Sequence, residues 1–267
     1  MRPIPTSFNL GPLELHTYGI GLALTFWFAY RYFERRLTKF GYRTDWVSSM
    51  FIWVIVSALI GARVIHVLSQ FSYYRGQPAE LLAVWHGGLS SFGGLIFAVP
   101  TAILVARRRC PELKVLDGLD IVAPVLMAAW AMGRLLGPQL MVAGGGHQTH
   151  QWFGMYYDGQ VGRRVPVPLI QAAEDALTFA ILIATERWLA AKALLADRSR
   201  PRGVVVGLGM VIWGTTRALD EHLLLGETGQ LGSTLVQVAG VSLVLGGCVL
   251  LLRAWSTWRT GAAETSS

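Results

Sequence analysis

Long apolar runs, separated by short polar segments, recur along most of the chain. A membrane-spanning helix needs about 20 mostly apolar residues, and Gly or Pro inside it is tolerated when neighbouring helices satisfy the freed backbone groups. We predict spans near Thr17–Phe33, Trp46–Ser69, Gly88–Ala106, Leu119–Val142, Pro168–Leu189, Gly203–Leu224 and Ser233–Leu252. The pattern therefore predicts an all-α fold, a polytopic membrane helix bundle that forms one integral membrane domain over residues 1–267.

Composition supports lipid as the surroundings of this chain and argues against other protein classes. Of 267 residues, 53% are hydrophobic and only 15% are charged, whereas a soluble domain carries roughly 25% charged residues. The net charge of +7 does not indicate a nucleic-acid partner, because the charges lie in short clusters between apolar runs. Cys110 and Cys248 form no disulfide framework or CxxC motif, and Met1–Asn9 has no apolar core of a cleavable signal.

Lysine and arginine divide unevenly between two sets of loops. The first, third and fifth loops and the C-terminal tail are basic: Arg35, Arg36, Lys39, Arg43, Arg107, Arg108, Arg109, Lys114, Arg187, Lys192, Arg198, Arg200, Arg202, Arg253 and Arg259. The other side has few basic residues: Arg2, Arg75, Arg163 and Arg164. Since basic loops stay in the cytoplasm, we predict the N-terminus outside, the C-terminus inside and residues 253–267 as a cytoplasmic tail.

Three arginines fall inside the predicted spans at one depth. Arg63, Arg134 and Arg217 lie about 15 residues into spans that run from inside to outside, and each residue rises about 1.5 Å. Spans that run the other way bring further positions to the same half: Tyr18, Ser90 and Phe92 near their outer ends, with Glu174 one to two turns deeper. The polar chemistry is therefore predicted in the outer half of the membrane.

An arginine in a span costs about 2.5 to 3.5 kcal/mol on insertion scales, so it indicates a function by default. Arg134 has no acid nearby in sequence, whereas Arg217 has Glu221 at i+4 and Asp220 at i+3. Two guanidinium groups at one level suit a phosphate or phosphodiester, because planar forked donors match that anion. The structural alternative is that Arg217 only pairs with Glu221 and that Arg134 snorkels outward.

The stretch Trp85–Gly94 places two glycine pairs around the outer end of a span. Glycine permits close helix approach, and it permits non-helical backbone where a cavity is lined. Plain helix packing is the alternative for Gly88, Gly93 and Gly94. His86 suits a proton acceptor near neutral pH, and a solvated interfacial histidine is its alternative.

Other polar residues are predicted to have structural roles. Asp120 sits 14 residues before Arg134, about 21 Å along one helix, so we interpret it as a first-turn charge at a helix N-terminus. The Gly144–His147 run and Asp158-Gly159 are typical of loop turns, and the former lacks the ending of a phosphate-binding loop. We predict no metal and no other cofactor.

Together these residues resemble the prolipoprotein diacylglyceryl transferases, bacterial membrane enzymes that lipidate lipoprotein precursors. The resemblance runs from Thr17 to about Gly247 and depends on the order and spacing of short pieces. The pieces are Tyr18-Gly19, Gly61-Ala62-Arg63, Trp85–Gly94, Asp120–Pro124, Gly133-Arg134-Leu135, Pro166 with Leu169, and Arg217 with Glu221.

The resemblance implies transfer of the diacylglyceryl group of phosphatidylglycerol to the lipobox cysteine of a prolipoprotein signal peptide. It places the protein in the lipid bilayer of the bacterial plasma (inner) membrane, as a monomer without metal or cofactor. The implied catalytic residues are Arg134 and Arg217. His86 does not stand at a catalytic position of the family, and we consider it as a substitute base. The implied substrate-binding residues are Tyr18, Arg63, Gly88, Ser90, Gly93, Gly94 and Glu221, the last of which would orient Arg217.

The chain departs from the family pattern where protons are handled. Phe92 stands at the position of the family's catalytic histidine, and Trp213 stands where the family has a tyrosine before its last arginine. The family's His-Pro-x-Gln-Leu-Tyr-Glu run has become Val165–Gln171. The alternative function is therefore a non-catalytic paralogue that binds anionic phospholipid. A transporter is disfavoured, because no internal repeat is visible.

Overall fold

Helices make up most of the computed structural model, which describes residues 7–10, 13–69, 71–76, 81, 91–137, 140, 144–195, 200–221 and 231–264. The helices are α1 Thr17–Lys39, α2 Val47–Ser69, α3 Phe71–Gly76, α4 Ser91–Arg109, α5 Val115–Leu136, α6 Val167–Leu195, α7 Val204–Asp220 and α8 Leu231–Glu264. Ahead of them, β1 Ser7–Leu10 pairs antiparallel with β2 Leu13–His16. The prediction of a helical fold is confirmed. The short hairpin of β1 and β2 was not predicted from hydropathy.

Four helices in the described part of the chain are long and apolar enough to cross a membrane. Their apolar segments are Val47–Leu68, Val115–Leu136, Val167–Leu195 and Val236–Trp258, with mean hydropathies of 2.2, 1.6, 1.6 and 1.9. Large apolar side chains on them are exposed, including Trp53 at 57% and Leu245 at 63%. Such extensive apolar exposure suits lipid rather than water. The fold is that of a membrane helix bundle.

The chain divides into two compact units, residues 34–115 and residues 1–33 with 116–267. In the first of these units, α2 and α4 approach closely where Gly93 is buried against Gly61. A Cβ atom on Gly93 would lie 2.7 Å from the Cβ atom of Ile65. One on Gly94 would lie 3.6 Å from the carbonyl oxygen of Ala58. Small residues let helix backbones pack closely in a membrane, so Gly93 has a packing role at this contact. The substrate-binding role of Gly93 and Gly94 stays a prediction.

In the other unit, glycines bring α7 and α8 together. A Cβ atom on Gly214 would lie 2.6 Å from the carbonyl oxygen of Gly240, and one on Gly247 would lie 2.6 Å from that of Gly207. These contacts are with backbone carbonyl oxygens, which cannot move aside by a change of rotamer as a side chain can. The pairing of α7 with α8 therefore depends on the absence of side chains at these positions.

Replacing Gly214 with alanine is expected to destabilise the protein by about 1 to 3 kcal/mol, the usual cost of overpacking. The free energy of unfolding in detergent, or the midpoint of thermal unfolding, measures this. Gly246→Ala in α8 is the matched control, because its Cβ atom would meet only the terminal methyl group of Met210, at 3.0 Å. Equal stability of the two variants would contradict the close backbone contact.

One face of α6 is buried along its length, and its character changes midway. The buried positions recur every three or four residues, as on one side of a helix: Pro168, Gln171, Asp175, Thr178, Leu182, Glu186, Leu189 and Ala193. Towards the C-terminal end, Leu182 and Leu189 pack with α5 and α7 residues in an apolar core that includes Ala123, Met127 and Val205. Towards the N-terminal end the same face is polar, and that polar end positions the candidate site.

Asp120 has a different role from the predicted one. It lies in the second turn of α5, whose first turn holds Asp117, and its residue surface is only 1% exposed. The Asp120 carboxylate accepts hydrogen bonds from the backbone N–H groups of Gly203, at 2.7 Å, and Val206, at 2.9 Å. These are orphan donors at the start of α7. Asp120 was predicted to lie at the N-terminus of its own helix, and this was wrong. Its carboxylate caps the N-terminus of the neighbouring helix α7.

Candidate functional site

Arg134 lies in the last turn of α5 and points to α6. Its Nε atom donates to Oδ2 of Asp175 at 3.1 Å, and its Nη1 atom donates to Oε1 of Gln171. The Arg134 side chain is 15% exposed and that of Asp175 is 1% exposed. The interpretation of Arg134 as an outward-snorkelling anchor is therefore wrong. Its acidic partner comes from α6, 41 residues later in the chain, and was invisible to an argument about sequence neighbours.

Arg217 lies in the last turn of α7, and its residue surface is 9% exposed. Its Nη2 atom donates to Oδ2 of Asp220 and lies 3.5 Å from Oε2 of Glu174. The predicted pairing with Glu221 at i+4 is thus corrected: the carboxylates on Arg217 are those of Asp220, at i+3, and Glu174, from α6. Glu221 is the C-cap residue of α7.

Gln171 joins the two arginines. Its Oε1 atom accepts from Arg134, while its Nε2 atom donates to Oδ2 of Asp220 at 3.0 Å. The connected side chains are called here the arginine network: Arg134, Asp175, Gln171, Asp220, Arg217 and Glu174. Arg63, Arg134 and Arg217 were predicted at one depth in the membrane; Arg134 and Arg217 do meet in one network, while their depth and that of Arg63 stay predictions. Gln171 and Asp175 were missed as site residues, although polar residues at i and i+4 in an apolar helix share one face.

The arginine network contains more acids than bases. Its two guanidinium groups meet three carboxylates, so one carboxylate is in excess. Asp175 and Asp220 accept hydrogen bonds from the arginines, whereas Oε2 of Glu174 is buried without a hydrogen-bond partner among the described residues. Nε of Arg217 is also buried without one. Because unmade hydrogen bonds at buried charged groups are costly, the network keeps capacity for a polar ligand.

Arg217 lies over a tryptophan that stacks on a second tryptophan. Trp213 precedes Arg217 by one turn, and the Arg217 Cζ atom lies 5.8 Å from the centre of the Trp213 ring, within cation–π distance. Trp213 stacks on Trp130 of α5, with ring centres 4.5 Å apart and planes 17° apart. The indole N–H of Trp213 can donate a proton to a hydrogen bond but offers no acceptor. This position therefore cannot act as a base.

Arg63 lies in the unit formed by residues 34–115. It is 7% exposed, its Nε atom donates to the carbonyl oxygen of Leu81 at 3.0 Å, and its Cζ atom lies 5.2 Å from the ring centre of Tyr74. Several other predicted site residues lie outside the described residues: His86, Gly88 and Ser90 entirely, and Tyr18 and Phe92 in their side chains. Their predicted roles are unaffected by the contacts above.

The loop before α6 is held by its own hydrogen bonds. The backbone of Met155 exchanges hydrogen bonds with Arg164, at 2.9 and 2.8 Å, and Asp158-Gly159 forms a turn with Gly159 at φ 74°. These contacts confirm the predicted turn at Asp158. Tyr157 is buried at 3% exposure in this loop, and burial raises the pKa of its phenol. These hydrogen bonds thus hold the loop that leads into the polar N-terminal end of α6.

Comparison of the sequence with known proteins identifies the family of this chain. The family model for prolipoprotein diacylglyceryl transferase matches residues 5–253. The phosphatidylglycerol–prolipoprotein diacylglyceryl transferase of Pseudoalteromonas atlantica is 28% identical over 98% of this chain and 92% of its own length. The enzyme of the same name from Janthinobacterium sp. is 29% identical over 95% and 96%, and that from Bacillus velezensis is 37% identical over 49% and 47%. The chain belongs to the prolipoprotein diacylglyceryl transferase family.

Proposed function

We propose that this protein transfers the diacylglyceryl group of phosphatidylglycerol to the lipobox cysteine thiol of prolipoprotein signal peptides. The observation that carries the proposal is the arginine network, in which Gln171 links the half-buried Arg134 to the buried Arg217 through Asp220 in a chain of this family. The thiol sulfur attacks the carbon of the diacylglyceryl group that is bonded to a phosphate oxygen. An S–C bond forms, the C–O bond breaks, glycerol phosphate leaves with the bonding electrons, and the thiol proton passes to a base.

Arg134 and Arg217 bind the phosphate and stabilise the charge that develops on it as the C–O bond breaks. Preorganised donors aimed at developing charge are usually the largest contribution to catalysis. Asp175 and Asp220 hold the guanidinium groups in place, so little reorganisation is needed at the moment of reaction. Membrane surroundings strengthen these interactions, because charges attract more strongly at low dielectric constant.

The reaction takes place in the outer half of the bacterial plasma membrane, in one domain of seven spans with the N-terminus outside and the C-terminus inside. The uneven distribution of lysine and arginine supports this topology, and the four long apolar helices support a location in a membrane. The network lies at the ends of α5 and α7 and the start of α6, which all face outside in such a topology. Tyr18, Arg63, Gly88, Ser90, Gly93, Gly94 and Glu221 keep their predicted role as substrate-binding residues in this proposal. The protein acts as a monomer, since one chain supplies every residue of the network.

A second candidate function is phospholipid binding without transfer. It is favoured by the residues at two family positions for proton transfer, where Phe92 and Trp213 offer no base. In this case Arg134 and Arg217 hold the same anionic headgroup, but no thioether forms. The two functions therefore differ in their product and not in their ligand.

Expression in bacterial cells depleted of their own transferase tests the proposed function. We expect a lipoprotein precursor that gains the mass of one diacylglyceryl group on its lipobox cysteine, and a lipobox Cys→Ala precursor that gains none. Membrane insertion of the protein is checked in the same cells by fractionation. An unmodified precursor in cells that contain the inserted protein would favour the phospholipid-binding paralogue. His86→Ala, measured alongside, tests the base that the sequence predicts.

A further inference from the structure

Glu174 differs from the other two carboxylates of the arginine network. The side chains of Asp175 and Asp220 are 1% and 6% exposed, and each accepts a hydrogen bond from an arginine. The Glu174 side chain is 27% exposed, and its Oε2 atom lies 3.5 Å from Nη2 of Arg217 without a hydrogen-bond partner among the described residues. Of these three carboxylates, Glu174 thus has the most exposed side chain, and its buried Oε2 atom has no hydrogen-bond partner among the described residues.

We propose that Glu174 is the proton acceptor for the attacking thiol. This inference rests on the proposed function. As the sulfur bonds to the carbon of the diacylglyceryl group, the S–H proton moves to a carboxylate oxygen of Glu174, and the electrons of the breaking C–O bond leave with glycerol phosphate. The proton on Glu174 then passes to water or to the departing phosphate, which restores the carboxylate for the next cycle.

The position of Glu174 suits this role. If Arg217 holds the substrate phosphate, the reacting carbon is one bond away from a phosphate oxygen, so a carboxylate beside Arg217 lies close to the site of attack. A base must be within hydrogen-bond reach of the proton that it takes. The thiol is a poor nucleophile until it is deprotonated, and no cationic group is left over in the network to favour a thiolate.

The charges around Glu174 also favour a proton-accepting role. Arg217 and Asp220 face it from α7, Asp175 follows it in α6, and Arg134 of α5 is neutralised by Asp175. A bound phosphodiester adds one more negative charge to a cluster that already has a carboxylate in excess. Since like charges oppose ionisation, uptake of the thiol proton relieves this excess. Trp213, in contrast, can only donate.

The experiment compares Glu174→Gln with the wild-type protein in nanodiscs that contain phosphatidylglycerol, using synthetic lipobox peptides. One peptide carries cysteine, and the other carries selenocysteine, whose selenol is ionised at neutral pH and needs no base. Glu186→Gln is the matched control, because Glu186 is another glutamate of α6, itself buried, that lies twelve residues, about 18 Å, further along the helix. Binding of fluorescent phosphatidylglycerol checks that each variant keeps its site.

For Glu174→Gln we expect transfer to the cysteine peptide to fall about 10²- to 10⁴-fold, the usual contribution of a general base. Phosphatidylglycerol binding stays within a few-fold of wild type, and the defect largely disappears with the selenocysteine peptide. The residual rate rises about tenfold per pH unit below the thiol pKa of about 8.5, because hydroxide must now remove the proton. Glu186→Gln behaves as wild type in each assay.

Three results would overturn this role of Glu174. Transfer by Glu174→Gln at the wild-type rate excludes it, and an equal loss with both peptides shows a structural role instead. Selenocysteine rescue of His86→Gln, but not of Glu174→Gln, assigns the base to His86. The three results above all require that the wild-type protein modifies a peptide. If it modifies neither peptide, the proposed function itself fails.

Discussion

Arg134→Ala is expected to abolish binding of phosphatidylglycerol and to reduce diacylglyceryl transfer by about a thousandfold or more. Loss of a single preorganised donor to a developing charge costs about 10²- to 10³-fold, and Arg134 also anchors Gln171, through which Arg217 is connected. Equilibrium binding of fluorescent phosphatidylglycerol in nanodiscs measures the first effect, and thioether formation on a lipobox peptide measures the second.

Loss of Arg134 also leaves the carboxylate of Asp175 buried without its charged partner, which costs about 3 to 5 kcal/mol when a buried pair is broken. The double variant Arg134→Ala, Asp175→Ala removes both charges, so it separates lost binding from lost stability. Arg202→Ala is the control, because Arg202 also pairs with an aspartate, Asp117, but is 49% exposed. Retained phospholipid binding in the folded double variant would contradict the proposed role of Arg134 under either candidate function.

Asp120→Ala is expected to destabilise the protein by about 2 to 4 kcal/mol. The substitution removes a helix cap and leaves two buried backbone donors unsatisfied, those of Gly203 and Val206. Asp120→Asn keeps one acceptor oxygen and is expected to lose less. The free energy of unfolding in detergent measures the effect, and transfer activity at low temperature tests whether the network survives.

The neighbouring acid provides the control for Asp120. Asp117→Ala removes a carboxylate from the same helix, but that carboxylate pairs with the exposed Arg202, and exposed pairs contribute about 0 to 1 kcal/mol. If Asp120→Ala were no less stable than Asp117→Ala, the contact with the start of α7 would contribute nothing to stability.

The helices and the proximity of Arg134 to Arg217 were predictable from the sequence, and the acidic partners from other helices were not. Hydropathy and helical rise locate a residue along the membrane normal, which is why Arg134 and Arg217 were expected at one level. They do not fix the rotation of a helix about its axis or the order of its neighbours. Asp175 could therefore not be matched to Arg134, nor Asp120 to the start of α7, because each contact joins two helices.

The same limit applies to the acidic partner of Arg217 within α7, which was predicted to be Glu221 and is Asp220 in the structure. Positions i+3 and i+4 both lie on the face of α7 that carries Arg217, so spacing alone allowed either acid. The structure favours Asp220 because Gln171 of α6 donates to it at 3.0 Å. The choice between two adjacent acids is thus made by a neutral side chain from another helix.

The amide of Gln171 also makes the network directional. Its oxygen accepts from Arg134 and its nitrogen donates to Asp220; rotated by half a turn, the amide would set N–H against guanidinium and oxygen against carboxylate. Arg134 therefore bonds to an acid and an amide, whereas Arg217 bonds to an acid and lies over an indole ring. Under the proposed function, the two non-bridging oxygens of a bound phosphodiester would meet these unequal partners, so the two arginines would distinguish its pro-R oxygen from its pro-S oxygen.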